Sequence, residues 1–178
     1  MIDVFVALPM KPIGRPPVPQ ATLVPITRRI ANRRPLTITI GVHIVATALE
    51  AENTALVLEA LDTLFNKKDY EKAARFWSES YIQHSRLVPA GREGLFGLVR
   101  SLPDVRFEYD MVIANGDRVW LHSRYTNSAT PTALIGVDIM RVVNGKLVEH
   151  WDVLQDEATR SESAGGYPMF GDAFADER

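Results

Sequence analysis

From Leu49 onward the hydrophobic positions recur with a helical period. In ALEAENTALVLEALDTLFNKKD, Val57, Leu61, Leu64 and Phe65 stand at i, i+4, i+7 and i+8, while Glu50, Glu52, Glu59 and Asp62 fall largely elsewhere. That is the layout of an amphipathic helix with one buried stripe. The polar NKKD ends it. YEKAARFWSESYI predicts a second helix with Tyr70, Ala73, Ala74, Trp77 and Tyr81 on one side, and REGLFGLVRSL a third, opened by Gly91 and closed before Pro103. The period then changes to two. VRFEYDMVIA, RVWLHSRYT, ALIGVDIMRVV and KLVEHWDVLQ read as strands, with turns at Asn115–Asp117 and Asn144-Gly145 and a loop around Thr130-Pro131. Asn-Gly is the strongest short hairpin signal, because both central positions of a type I′ turn need positive φ. Helices followed by an antiparallel sheet predict an α+β domain, a curved sheet wrapped around a long helix.

Composition changes the picture at the start of the chain. Seven of the eleven prolines and six cations, Lys11, Arg15, Arg28, Arg29, Arg33 and Arg34, precede residue 48, against Asp3 alone. Stretches such as KPIGRPPVPQ cannot hold a helix or a central strand, since each ring removes a donor and restricts its neighbour. Residues 1–47 therefore read as a basic, proline-rich arm, 48–160 as the folded domain and 161–178 as a polar tail that wraps the domain through Tyr167, Met169 and Phe170 or stays loose. Within the arm, RRPLTITIGVHIVATALE has the basic flank, apolar run and ATA triplet of a secretory signal. Its run of about a dozen residues is shorter than the roughly 20 a membrane helix needs. Three readings stay open: an upstream start codon ahead of a signal, an export sequence of unusual length, or a β-branched strand that packs on the domain or on a partner. The cytoplasm is the expected compartment, with export through residues 35–48 as the alternative.

With 46% apolar and 24% charged residues, the 178-residue chain has the balance of a soluble folded protein, and its formal charge of −2 offers no general attraction for nucleic acid. It has no cysteine, which excludes disulfides, thiolate nucleophiles and cysteine metal sites. No Walker loop, GxGxxG, GxSxG or HExxH is present.

The ordered series YIQH (Tyr81–His84), GREGL (Gly91–Leu95), NGDRVWLH (Asn115–His122), GVDIMRVVNGKLVEHWDVLQ (Gly136–Gln155) and YPMF (Tyr167–Phe170) resembles the SnoaL-like polyketide-cyclase branch of the nuclear-transport-factor-2-like superfamily, over about residues 48–170. The resemblance implies a cone-shaped fold whose helices close over a concave sheet and leave one deep pocket. Relatives include aldol-condensing cyclases, epoxide hydrolases, ketosteroid isomerases, dehydratases and binding proteins without catalysis, so the fold does not fix the function. In the cyclases and epoxide hydrolases a carboxylate on the last strand is the general acid or base, without metal or organic cofactor. Asp152, in EHWD, matches that position.

A carboxylate in an apolar pocket is costly to ionise and so suits proton abstraction near neutral pH; the alternative for Asp152 is a hydrated strand end. His150, two residues before it and on the same strand face, orients it, carries a proton itself, or is merely a neighbour. In a regular two-residue hairpin Asp138 pairs with Trp151 and Val137 with Asp152, which puts the two aspartates on opposite faces; a bulge would bring them together. His84, after the second predicted helix, and His122, on the strand face of Trp120 and Arg124, match histidines of the family pattern and are candidates to bind a substrate carbonyl. Trp120 and Trp151 are core residues or indoles lining the pocket. No histidine pair has a metal-binding spacing, so no metal is expected.

The resulting expectation is a cofactor-independent enzyme acting on a hydrophobic carbonyl compound by aldol-type cyclisation or isomerisation. Asp152, His150 and Asp138 form the catalytic group, and His84, His122, Trp120 and Trp151 bind substrate. The alternatives are a ligand-binding or dimerising module on the same cone and, third, an epoxide hydrolase, which would need an arginine such as Arg124 or Arg141 beside the aspartates. The expected partners are a hydrophobic small molecule and a second copy of the chain, with no nucleic acid and no stable membrane span.

Overall fold

The structure, a computed structural model, describes residues 47–177. The arm up to residue 46, with almost all of its apolar run, lies outside the described residues. Helix α1 (Ala48–Leu61) starts at a capping box: Thr47 Oγ1 accepts from the Glu50 amide, and the Thr47 amide donates to Glu50 Oε2 at 2.7 Å. It continues through a π-helical turn, Asp62–Asn66, into a corner where Lys68 has φ 56°. Asn66 finishes the helix by exchanging two 3.0 Å bonds with the Phe107 backbone, one as donor and one as acceptor, in place of a strand neighbour.

The second predicted helix is mostly a strand. Only Tyr70–Ala73 is helical (α2), and Trp77–Gln83 forms β1, which runs parallel to the last strand. Trp77 and Tyr81 are both buried, as the helical reading requires, but a spacing of four keeps one face in a strand as well as in a helix. The open edge of the last strand decides between them by supplying backbone partners: the Leu147 amide donates to Phe76 O and the His84 amide to His150 O.

Helix α3 (Arg92–Ser101) and strands β2 (Arg106–Asn115), β3 (Arg118–Thr126), β4 (Leu134–Val143) and β5 (Lys146–Asp156) fall where the periodicity places them. The sheet order is β1-β5-β4-β3-β2, antiparallel except at β1–β5. Val57, Leu61 and Leu64 of the first helical segment, Phe96 and Val99 of α3, and Trp77, Tyr81, Leu121, Met140 and Leu147 of the sheet make one buried cluster between the helices and the inner sheet face. Asn53 and Glu50 also tie α1 to the far end of the sheet, through Gly116 O and Gly116 N at the β2–β3 turn.

The β4–β5 hairpin is not regular. Val142 pairs with Leu147, but Arg141 pairs with Glu149, so Val148 is an inserted residue. The insertion resets the alternation: Leu147, then His150, Asp152 and Leu154, face the helices, while Glu149, Trp151 and Val153 face outward. Asp138 pairs with Asp152, not with Trp151. Of the two registers the sequence leaves open, the bulged one forms.

On the outer face, Phe170 and Phe174 of the tail are buried, with Phe170 5.5 Å from the His122 ring, whereas Tyr167 is exposed. Arg160 holds the tail's end, ion-paired to Glu177 and 4.5 Å above the Phe174 ring. Among the described residues, no helix is long and apolar enough to cross a membrane.

Candidate active site

Between α1, α3 and the inner sheet face lies a cavity of about 300 Å³. Most of its wall is apolar, with Leu61, Phe65, Leu95, Val99, Met140 and Leu154 among the lining residues. Its polar side is a cluster on β1, β3, β4 and β5. Asp138, buried to 1% exposure, accepts from Ser123 Oγ and from Tyr125 Oη (3.1 Å) at Oδ2, and faces His150 Nε2 at 2.9 Å through Oδ1. His150, 5% exposed, reaches Gln83 Oε1 through Nδ1 at 2.8 Å. An oxygen stands opposite each ring nitrogen, so both edges of the ring are held.

Asp152 lies half-buried on the cavity wall, one strand rung from His150. Among the described residues no side chain hydrogen-bonds or ion-pairs with its carboxylate, in contrast to Asp138, whose two oxygens are both taken. Burial, and the negative charge of Asp138 beside it, push the Tyr125 phenol well above its ordinary range, and burial does the same to Tyr81. Both phenols therefore remain donors at neutral pH: Tyr125 to Asp138, and Tyr81 to the Met140 sulfur at 3.4 Å.

Backbone shape makes room for this cluster. A Cβ on Gly136 would stand 2.8 Å from Ser123 Oγ and 2.7 Å from Leu154 Cδ2, so any larger residue would push on the Ser123–Asp138 contact and on the cavity wall.

Asp138, His150 and Asp152 offer ligand atoms within 4.8 Å of one another, the one group of this kind among the described residues. A cation bound there would have to break the His150–Asp138 hydrogen bond, and Asp138 already accepts two hydroxyls.

The other four expected site residues do not line this cavity. His122, Trp120 and Trp151 belong to the outward alternation of β3 and β5, and His84 follows β1 on the same outer side. His84 stacks on Trp151 at 4.8 Å and bonds Glu149 Oε1 at 3.0 Å, while Glu149 Oε2 pairs with Arg141. His122 sits in an outer rung between Met111 and Val137, with Nδ1 3.8 Å from Asp110. The physical reason is the pleat: β3 turns Val119, Leu121, Ser123 and Tyr125 inward, which leaves Trp120, His122 and Arg124 outside.

Residues 57–150, more than half of the chain, match the family model of the SnoaL-like domain. The chain belongs to the SnoaL-like family. No curated protein sequence matches it. Among solved structures it is similar to AclR, a proposed hydroxylase from Streptomyces galilaeus, at 26% identity over 60% of this chain and 90% of that one, with a TM-score of 0.50. It is also similar to a proposed ketosteroid isomerase from Kribbella flavida (20% identity, 71% and 97% covered, TM-score 0.56) and to a proposed SnoaL-like polyketide cyclase from Jannaschia (17% identity, 64% and 92% covered, TM-score 0.54). The α+β cone of the nuclear-transport-factor-2-like superfamily is the fold of this SnoaL-like chain.

Four polar residues of the cluster escape the sequence reading: Gln83, Ser123, Tyr125 and Tyr81. Ser123 and Tyr125 carry a usable signal, because they continue the alternation that begins with the apolar Val119 and Leu121. Gln83 carries none, since its strand reads as a helix.

Proposed function

We propose that this SnoaL-like protein is a cofactor-independent enzyme that moves a proton on a hydrophobic carbonyl compound, in an aldol-type cyclisation or an isomerisation, with Asp152 as the acid–base group. One observation carries the reading: Asp152 is a carboxylate without a side-chain partner among the described residues, on the wall of an apolar cavity, beside an Asp138–His150 pair that is fully bonded. Asp152 takes a proton from the carbon next to the carbonyl, and the C–H electrons pass to the carbonyl oxygen as an enolate. The enolate carbon then attacks a second carbonyl or is reprotonated elsewhere, and the protonated Asp152 returns the proton. His150, held between Asp138 and Gln83, fixes the polar wall beside it. His84, His122, Trp120 and Trp151 receive no role, because they lie on the outer face. The proposed isomerase and cyclase among the similar structures agree with this chemistry.

The epoxide-hydrolase reading loses ground because Arg124 and Arg141, the arginines it would enlist, are engaged with Glu108, Glu157 and Glu149. Among the described residues, no arginine lines the cavity. A screen of hydrophobic ketones for turnover by wild type and Asp152→Asn tests the proposal against a binding module: retained binding with lost turnover supports catalysis, and equal binding without turnover in either protein supports the module.

The homodimer is proposed on the outer sheet face. Met111, His122, Val137 and Val153 form one rung across four strands there, and Met111, Val137 and Val153 are all exposed, as is the adjacent Ile113.

A further inference from the structure

We infer that Gln83 is the recognition donor of the cavity, and that the ligand therefore presents a hydrogen-bond-accepting oxygen to it. The inference rests on the carbonyl reading and assigns the part of the site that holds the oxygen. The Gln83 amide has two ends: Oε1 stands 2.8 Å from His150 Nδ1, and Nε2 is buried with no acceptor among the described residues, in a side chain that lines the cavity. A buried N–H without an acceptor costs stability, and a ligand that brings an acceptor removes that cost. Gln83 lines the cavity, and His150 occupies the carbonyl end of its amide.

The spacing suits a ketone. Gln83 pairs with His150 across β1–β5, and Asp152 is two residues farther along β5, roughly 7 Å away along the strand. A carbonyl oxygen at Gln83 and its neighbouring carbon at Asp152, each reached by a contact of about 3 Å, span that gap. Gln83 then donates to the oxygen on which the enolate charge develops, while its own carbonyl fixes the His150 ring. The same donor gives nothing to a hydrocarbon of equal shape, so it also sets specificity.

The test is equilibrium binding of 2-acetylnaphthalene, which carries the acceptor, against 2-ethylnaphthalene, which does not, to wild type, Gln83→Glu and Gln83→Leu, with folding checked by circular dichroism. Glutamate keeps an oxygen for His150 and removes the donor, so nitrogen NMR of the His150 ring reports whether that bond survives. Wild type is expected to prefer the ketone by roughly tenfold. Both variants are expected to lose the preference, Gln83→Glu with the His150 Nδ1 signal still that of a hydrogen-bonded nitrogen. Equal binding of the two probes by wild type, or a ketone preference retained in Gln83→Glu, would overturn the inference. Proton exchange by Asp152→Asn is read separately from this ratio, so failure of the recognition donor and failure of the catalytic reading give different results.

Discussion

Asp138 and Asp152 are cross-strand partners on the inner face of the β4–β5 hairpin, and they meet because Val148 is an extra residue in β5. Without it Asp138 would face the solvent side of its partner strand's alternation, and the buried pair with His150 could not form. The bulge thus separates two carboxylates by role: one bonded on every side, the other open to the cavity.

Gly136 is the point where that arrangement is least tolerant of added volume. Gly136→Ala places a methyl 2.7 Å from Leu154 and 2.8 Å from the Ser123 hydroxyl. A loss of about 1–3 kcal/mol is expected, measured as a lower midpoint in urea denaturation. An unchanged midpoint would show that the wall yields freely.

The bonding of Asp138 can be dismantled in steps. Tyr125→Phe removes one donor to a buried carboxylate and is expected to cost about 1–2 kcal/mol. Asp138→Ala strands His150 in the interior and is expected to cost roughly 3–5 kcal/mol. The ordering of the two midpoints, with Asp138→Ala clearly lower, is the outcome that checks this.

On the outer face, the His84 and Arg141 side chains beside Glu149 hold its carboxyl below the ordinary glutamate range. A depressed folded-state value means that the stabilisation is complete above the unfolded-state value and is lost as pH falls through the folded one. Glu149→Gln is therefore expected to be less stable than wild type at neutral pH and to converge with it below about pH 4. Thermal midpoints taken across that range check the sign.

The outer rung predicts self-association. Light scattering is expected to give twice the 19.9 kDa chain mass for wild type. Val153→Glu, at a residue 75% exposed, is expected to give the single mass without loss of fold. A monomeric wild type would remove the dimer from the account.

How far the sequence carries depends on whether a pattern has one structural solution. The helix over Val57–Phe65 and the Asn144-Gly145 hairpin do, since the period and turn chemistry agree. Trp77 and Tyr81 do not: four residues apart, they share a face in either element, and the choice falls to the free edge of β5. The hairpin's register is equally silent, because nothing local to Val148 marks it as the inserted residue. On β3 the apolar pair Val119 and Leu121 does mark the inner face, which selects Ser123 and Tyr125 over the more conspicuous His122 and Trp120. His150 and Asp152 are legible through the family motif, and Gln83 only through the fold.

The most direct test of the central claim is exchange of α-protons of a bound hydrophobic ketone into deuterated water, followed by NMR, with wild type and Asp152→Asn compared at equal ligand occupancy. The account predicts enzyme-dependent exchange that falls at least about a hundredfold in Asp152→Asn while ketone binding is retained. Exchange at equal rates in the two proteins would contradict it.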